Sequence, residues 1–188
     1  MHSLHMILAC LAAAGAGAAA ATPYLIPEPG IVFEWLPREL EVPVEGILTE
    51  ESGAVSSGPA ASGTEYHIHY WREDVPQGAG RSEWLETRLA AMLPPDAPGT
   101  WRLGDIQWVE GSRLAGCSSS LSMGLMPFLN FNLVAENGAV LGRGRAYAAF
   151  RRGYSVLIYC LAPEEHSLDA VTSLEGMVHM MHLAEEQE

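Results

Sequence analysis

The chain has 188 residues, with 23 Asp and Glu against 10 basic side chains, so its formal charge is -13. A surface that negative repels a phosphate backbone and anionic lipid headgroups, which excludes a general nucleic-acid or membrane-surface role. The length suits one domain with a real core better than two.

Residues 4–21 are apolar or glycine apart from His5, and Ala19-Ala20-Ala21 before Thr22-Pro23 offers an A-x-A cleavage site. Residues 1–21 therefore read as a signal peptide, with a retained membrane anchor as the alternative. The expected product is residues 22–188 as a single domain, exported to the periplasm or the extracellular space of a bacterium. No later stretch is long enough for a membrane helix. Gly30–Leu36 alternates Ile31, Phe33 and Trp35 against Val32 and Glu34 and predicts the first strand, with a second, short one at Glu41–Val44. Residues 45–63 are rich in Gly, Ser, Ala and Glu and predict a flexible loop. Thr64–Trp71 predicts a strand with Tyr66, Ile68 and Tyr70 on one face and His67, His69 and Trp71 on the other.

A helix is expected over 82–93, with Leu85, Leu89, Met92 and Leu93 as its buried stripe and Pro94-Pro95 as its stop. Thr100–Glu110 predicts a strand interrupted at Gly104-Asp105, and Gly111-Ser112 a turn into a polar strand, Arg113–Met123. Phe128–Ala135 alternates Leu129, Phe131 and Leu133 with Asn130 and Asn132. Asn137-Gly138 is the signature of a two-residue type I′ turn, so Ala139–Phe150 is the returning strand. It puts Leu141, Arg143, Arg145 and Tyr147 on one side and Gly142, Gly144, Ala146 and Ala148 on the other, which calls for something bulky over the small residues. Tyr154–Leu161 is apolar on both faces, as a central strand is. Ser167 is the expected cap of a last helix, 167–185, with Val171, Leu174, Val178 and Met181 as its apolar stripe. Helices on an antiparallel sheet make an α+β fold.

This order, carried by GIVFEWLP, SEWLETRLAAML, RGRAYAAFRRGYSVLIYCLAP and SLDAVTSLEGMVHMMHLA, resembles the PsbP-like family, which includes Ran-binding Mog-type proteins and many exported bacterial proteins. The resemblance spans about residues 30–184. It implies an α/β/α sandwich around a central antiparallel sheet and a non-catalytic binding or accessory role, and it assigns no binding residue.

His67 and His69 project from one face of a strand at a spacing that can chelate Zn or Cu, but a third ligand must come from elsewhere. The alternative is two hydrogen-bonded histidines. Glu175, His179, His182 and Glu186 would share one stripe of a helix, where a solvated face is the plain reading. Arg143, Arg145, Arg151 and Arg152 gather four of the ten arginines and either hold an anion or pair with the chain's own carboxylates. Met123, Leu125, Met126 and Phe128 form an adaptable apolar run that, if exposed beside Arg143 and Arg145, would dock an acidic or amphipathic partner. Buried, it would only feed the core. Cys117 and Cys160 either pair or stay buried thiols. No serine lies in a G-x-S-x-G elbow, and no Walker loop, dinucleotide fingerprint or H-E-x-x-H occurs. The expectation is a non-enzymatic domain without cofactor that binds a protein partner or small ligand. The alternative is a metal-binding or hydrolytic protein using His67 and His69.

Overall fold

The computed structural model describes residues 23–40, 48–57, 60–110, 124–151 and 153–184. Strands β1 (Tyr24–Ile26) and β2 (Ile31–Phe33) come first, then β3 (Ser52–Ser56), β4 (Glu65–Arg72) and helix α1 (Gly80–Met92). Strands β5 (Thr100–Leu103), β6 (Gln107–Glu110), β7 (Leu125–Val134), β8 (Val140–Arg151) and β9 (Tyr154–Pro163) follow, and α2 (Ser167–His179) and β10 (Met181–Leu183) close the chain. The large sheet runs β3-β4-β9-β8-β7-β5, with β6 also on β7, and every pairing in it is antiparallel.

The period-2 alternation divides this sheet between two cores. Tyr66, Ile68, Tyr147, Val156, Ile158 and Cys160 face α2, which buries Ala170, Leu174, Met177 and Val178 against them. Leu129, Phe131, Ala146, Ala148, Leu157 and Tyr159 face α1 and its Leu85 and Leu89. The expected α/β/α sandwich is therefore present, with β9 buried on both sides. The α2 layer also contains a second sheet of three strands, β1-β2-β10, whose Ile26, Ile31, Phe33 and Met181 join the α2-side core.

Several boundaries differ from the sequence reading. The last helix stops at His179 because residues 181–183 pair with β2, so His182 leaves the helical stripe and approaches Glu34, 3.6 Å away. Ser167 is the first helical residue and not the cap; its hydroxyl donates to the Glu164 carbonyl at 2.8 Å. The first helix starts at Gly80, two residues early. Within the expected loop 45–63, residues 52–56 form edge strand β3, whose small side chains gave little periodic signal and whose Val55 is its one buried residue. The interrupted strand is as expected: β5 and β6 are two pieces of one edge, both paired to β7.

The Asn137-Gly138 hairpin exists, but its turn is longer than a type I′ turn. Gly138 donates to the Ala135 carbonyl at 2.9 Å and sits at φ 84°, and Ala135 donates to the Ala139 carbonyl at 2.8 Å. This is a three-residue loop ending in a left-handed glycine. The ladder then slips once, from Val134 opposite Val140 to Leu133 opposite Gly142, leaving Leu141 as the bulged residue. Beyond the slip Asn132 faces Arg143 and Asn130 faces Arg145, which is also the register a two-residue turn at Asn137-Gly138 would impose. The bulky cover expected over the small face is shared: α1 lies on Ala146 and Ala148, whereas the Phe131 ring lies over Gly144.

The predicted strands at 41–44 and 113–123, residues 1–21, Met123, Cys117, Arg152 and Glu186 lie outside the described residues. No helix among the described residues is long and apolar enough to cross a membrane.

Candidate functional site

Two sets of side chains emerge, one on each face of the sheet. On the α1 face, His67 stacks on Tyr159 at 4.5 Å between ring centres, and His69 lies 5.9 Å from both Tyr159 and Trp71. His67 Nε2 lies 3.2 Å from the Glu65 carboxylate and Nδ1 lies 3.0 Å from the Ser56 hydroxyl. A carboxylate only accepts, so Nε2–H donates to Glu65 and Nδ1 accepts from Ser56. Both ring nitrogens are thereby engaged, and the ring's one in-plane lone pair, on Nδ1, is taken by Ser56. His69 Nε2 is buried without a partner. Burial holds its imidazole down to about 4, with the neighbouring His67 adding to the effect, and burial also lowers His67. Both rings are neutral at pH 7. Among the described residues no three His, Cys, Asp or Glu side chains come together as a metal-binding set.

The aromatic run continues to the end of α1. Arg88 lies over Trp71 at 4.8 Å, and Glu73 accepts from Arg88 at 2.6 Å and from the Trp84 indole at 2.5 Å. These contacts cover the ring stack, and the outer side of Trp84 and Arg88 lines a hollow of about 430 Å³ with Pro76, Glu83 and Thr87.

The α2 face differs at the end where α2 begins. There Asn130 and Asn132 of β7, Arg143 and Gly144 of β8, Glu164 of the preceding 3₁₀ turn, and Leu168 and Val171 of α2 line a groove of about 540 Å³. The hairpin places these polar groups, because residues two apart on each strand share a face and the register sets them in cross-strand pairs. Arg143 meets Glu164 as a two-point fork, Nε donating to Oε2 at 2.5 Å and Nη2 to Oε1 at 2.8 Å. Arg145 is the more buried of the two. Its Nε donates to Asn130 Oδ1 at 2.8 Å, Nη1 lies 3.3 Å from Glu175, and the guanidinium sits over Phe128 at 5.3 Å. Arg145 is thus a fixed support that orients Asn130, while Arg143 lies at the groove. Leu168 is 78% exposed at the rim.

The arginines and the apolar run do not form the single patch the sequence raised. Met126 is in the α2-side core at 1% exposure and offers no docking surface; Leu125 points to the opposite face and is exposed; Phe128 is half-buried beneath Arg145. Strand alternation forces this split, since neighbours on a strand cannot share a face. Arg151 is tied to the Gly30 carbonyl at 2.7 Å and joins the two sheets. Cys160 is a free thiol in the core, and burial pushes it up to about 11. Glu164 and Leu168 carried no mark of a groove in the sequence. Asn132 was missed as well, although counting back from the turn sets it opposite Arg143.

No family model and no curated protein matches the sequence. Among solved structures, the solution structure of cyanobacterial PsbP (CyanoP) from Synechocystis sp. PCC 6803 is similar with a TM-score of 0.60, covering 92% of this chain and 97% of that one at 11% identity. The chain has the PsbP fold. At that identity the likeness is one of architecture, so the groove and the ring stack rest on this chain's own residues. Within the PsbP fold seen here, rings pack the sheet beneath α1, with a shallower hollow of about 430 Å³ outside them between Pro76 and Arg88, and the α2 layer leaves its polar hairpin face open where the helix starts.

Proposed function

We propose that the chain is an exported, non-enzymatic binding or accessory domain that engages a protein partner or small ligand through the groove between the start of α2 and the polar face of β7 and β8. The observation that carries this reading is the groove's mixed lining. A cavity of about 540 Å³ is in the range that holds a ligand, with a few polar groups to orient it and an exposed Leu168 to bury. Catalysis finds less support, because the Cys160 thiol is core-bound and the His67 ring is engaged at both nitrogens. The hydrophobic N-terminal run supports export, and intact-mass measurement of the exported product is expected to show that residues 1–21 are gone.

The groove is tested by placing a photo-crosslinking amino acid at Leu168 in the exported protein, in its host. A discrete adduct that disappears in Arg143→Ala is expected, with none from the same probe at Glu86 on the exposed side of α1. Equal adducts from both positions, or none from Leu168, would overturn the reading.

A further inference from the structure

We propose that the groove takes the free α-carboxylate of a peptide ending in an apolar residue, and that Glu164 occupies the carboxylate position until it arrives. This rests on the groove being the binding surface. The Arg143 guanidinium already presents Nε and Nη2 in the parallel fork that fits a carboxylate, and a carboxylate fills it. That carboxylate is exchangeable. The side chains of Arg143 and Glu164 are 49% and 42% exposed, and a pair so wet contributes little that water and another carboxylate cannot replace. When displaced, Glu164 returns to solvent from a short 3₁₀ turn without uncovering core.

The surroundings define the rest of the ligand. Asn130 Oδ1 accepts from Arg145 Nε, which leaves the amide N–H₂ as the group Asn130 can offer a ligand as a donor. Asn132, the next residue on that face, adds a second amide beside Arg143, so the floor offers groups that match a peptide backbone. Leu168 and Val171 form the apolar wall next to the fork. At a chain terminus the carboxylate and the last side chain leave the same Cα, which matches a fork and an apolar wall side by side. An internal Asp or Glu holds its carboxylate away from its apolar neighbours on its own stem. A many-charged acidic ligand is disfavoured by the net charge of -13.

The experiment is calorimetric titration of the purified domain with acetyl-Gly-Ser-Ala-Gly-Val-Leu, its C-terminal amide, and the amide carrying an internal Glu. Binding of the free acid is expected, with a loss of roughly tenfold or more for both amides. Arg143→Ala should lose the free acid by a similar factor. Glu164→Gln should bind it several-fold tighter, because the internal competitor is gone; a merely structural ion pair would make both variants weaker. Unchanged melting temperatures show that both variants remain folded. Equal binding of acid and amide, or weaker binding by Glu164→Gln, would overturn the proposal. If no peptide binds while the Leu168 adduct persists, the ligand class is wrong and the groove stands; if the adduct is absent as well, both fall.

Discussion

The two faces of the large sheet are made by the same strands and do different work. On the α1 side, His67, His69, Trp71, Tyr159 and Trp84 close on one another ring by ring, with His67 and Trp84 hydrogen-bonded to neighbouring side chains and His69 Nε2 buried without a partner. On the α2 side the helix lies over β9 and β8, and beside its start Asn130, Asn132 and Arg143 leave a polar floor on β7 and β8. One strand thus supplies both: Phe131 seals one face of β7 while Asn130 and Asn132 line the other. A function confined to one face can change with little cost to the packing of the other.

The most severe way to break this division is at Gly144, which belongs to both faces. A side chain there would meet the Cys160 carbonyl and the Phe131 ring, each well inside contact distance. Gly144→Val should cost about 3 kcal/mol or more, or prevent folding, read as a lowered denaturation midpoint. Next come the two helices. Leu89→Ala and Leu174→Ala, both fully buried, should each cost about 2 to 5 kcal/mol by chemical denaturation, because each helix seals a core. A loss under about 1 kcal/mol for either would mean that its helix is an ornament on a one-sided sheet.

His69 separates the faces by pH. Its folded-state pKa lies near 4, below its unfolded value near 6.5, so the unfolded chain binds the extra proton between them. Stability tied to this ring is complete above about pH 6.5 and falls as the pH drops toward 4, by up to about 3 kcal/mol. His69→Phe keeps the stack and should flatten that part of the stability-pH curve relative to the parent; an unchanged slope would show that the ring is not held neutral by burial. The smallest effect belongs to Gly138, which has open space around it and needs only its positive φ. Gly138→Ala should cost about 1 kcal/mol and leave peptide binding at the groove unchanged.

Much of the sandwich was legible because alternation is strict where strands are long. The faces of β4, β7 and β8, and the buried stripe of α1, followed from the period alone. Edge strand β3 was not legible, since Ser52, Gly53 and Ala54 carry no hydrophobic rhythm and only pairing with β4 makes them a strand. The end of α2 was missed because Met181 fits a helical stripe and a strand equally well; pairing with β2 decides between them. The arginines were visible as a cluster, but whether they were free or paired depended on Glu164 and Glu175, which approach only after α2 folds back over the sheet. Tertiary placement of that kind leaves no periodic mark.

The bulge at Leu141 has a mechanical consequence. Eight residues separate Leu133 from Gly142, and they can be spent in two ways: three cross-strand pairs and a two-residue turn, or two pairs, a three-residue turn and one unpaired residue. The protein takes the second, yet both deliver Asn132 to Arg143. The hairpin tip therefore behaves as a slip joint whose play is taken up before it reaches the groove, so the tip can vary in sequence and shape while the spacing of the guanidinium and the side-chain amides is kept.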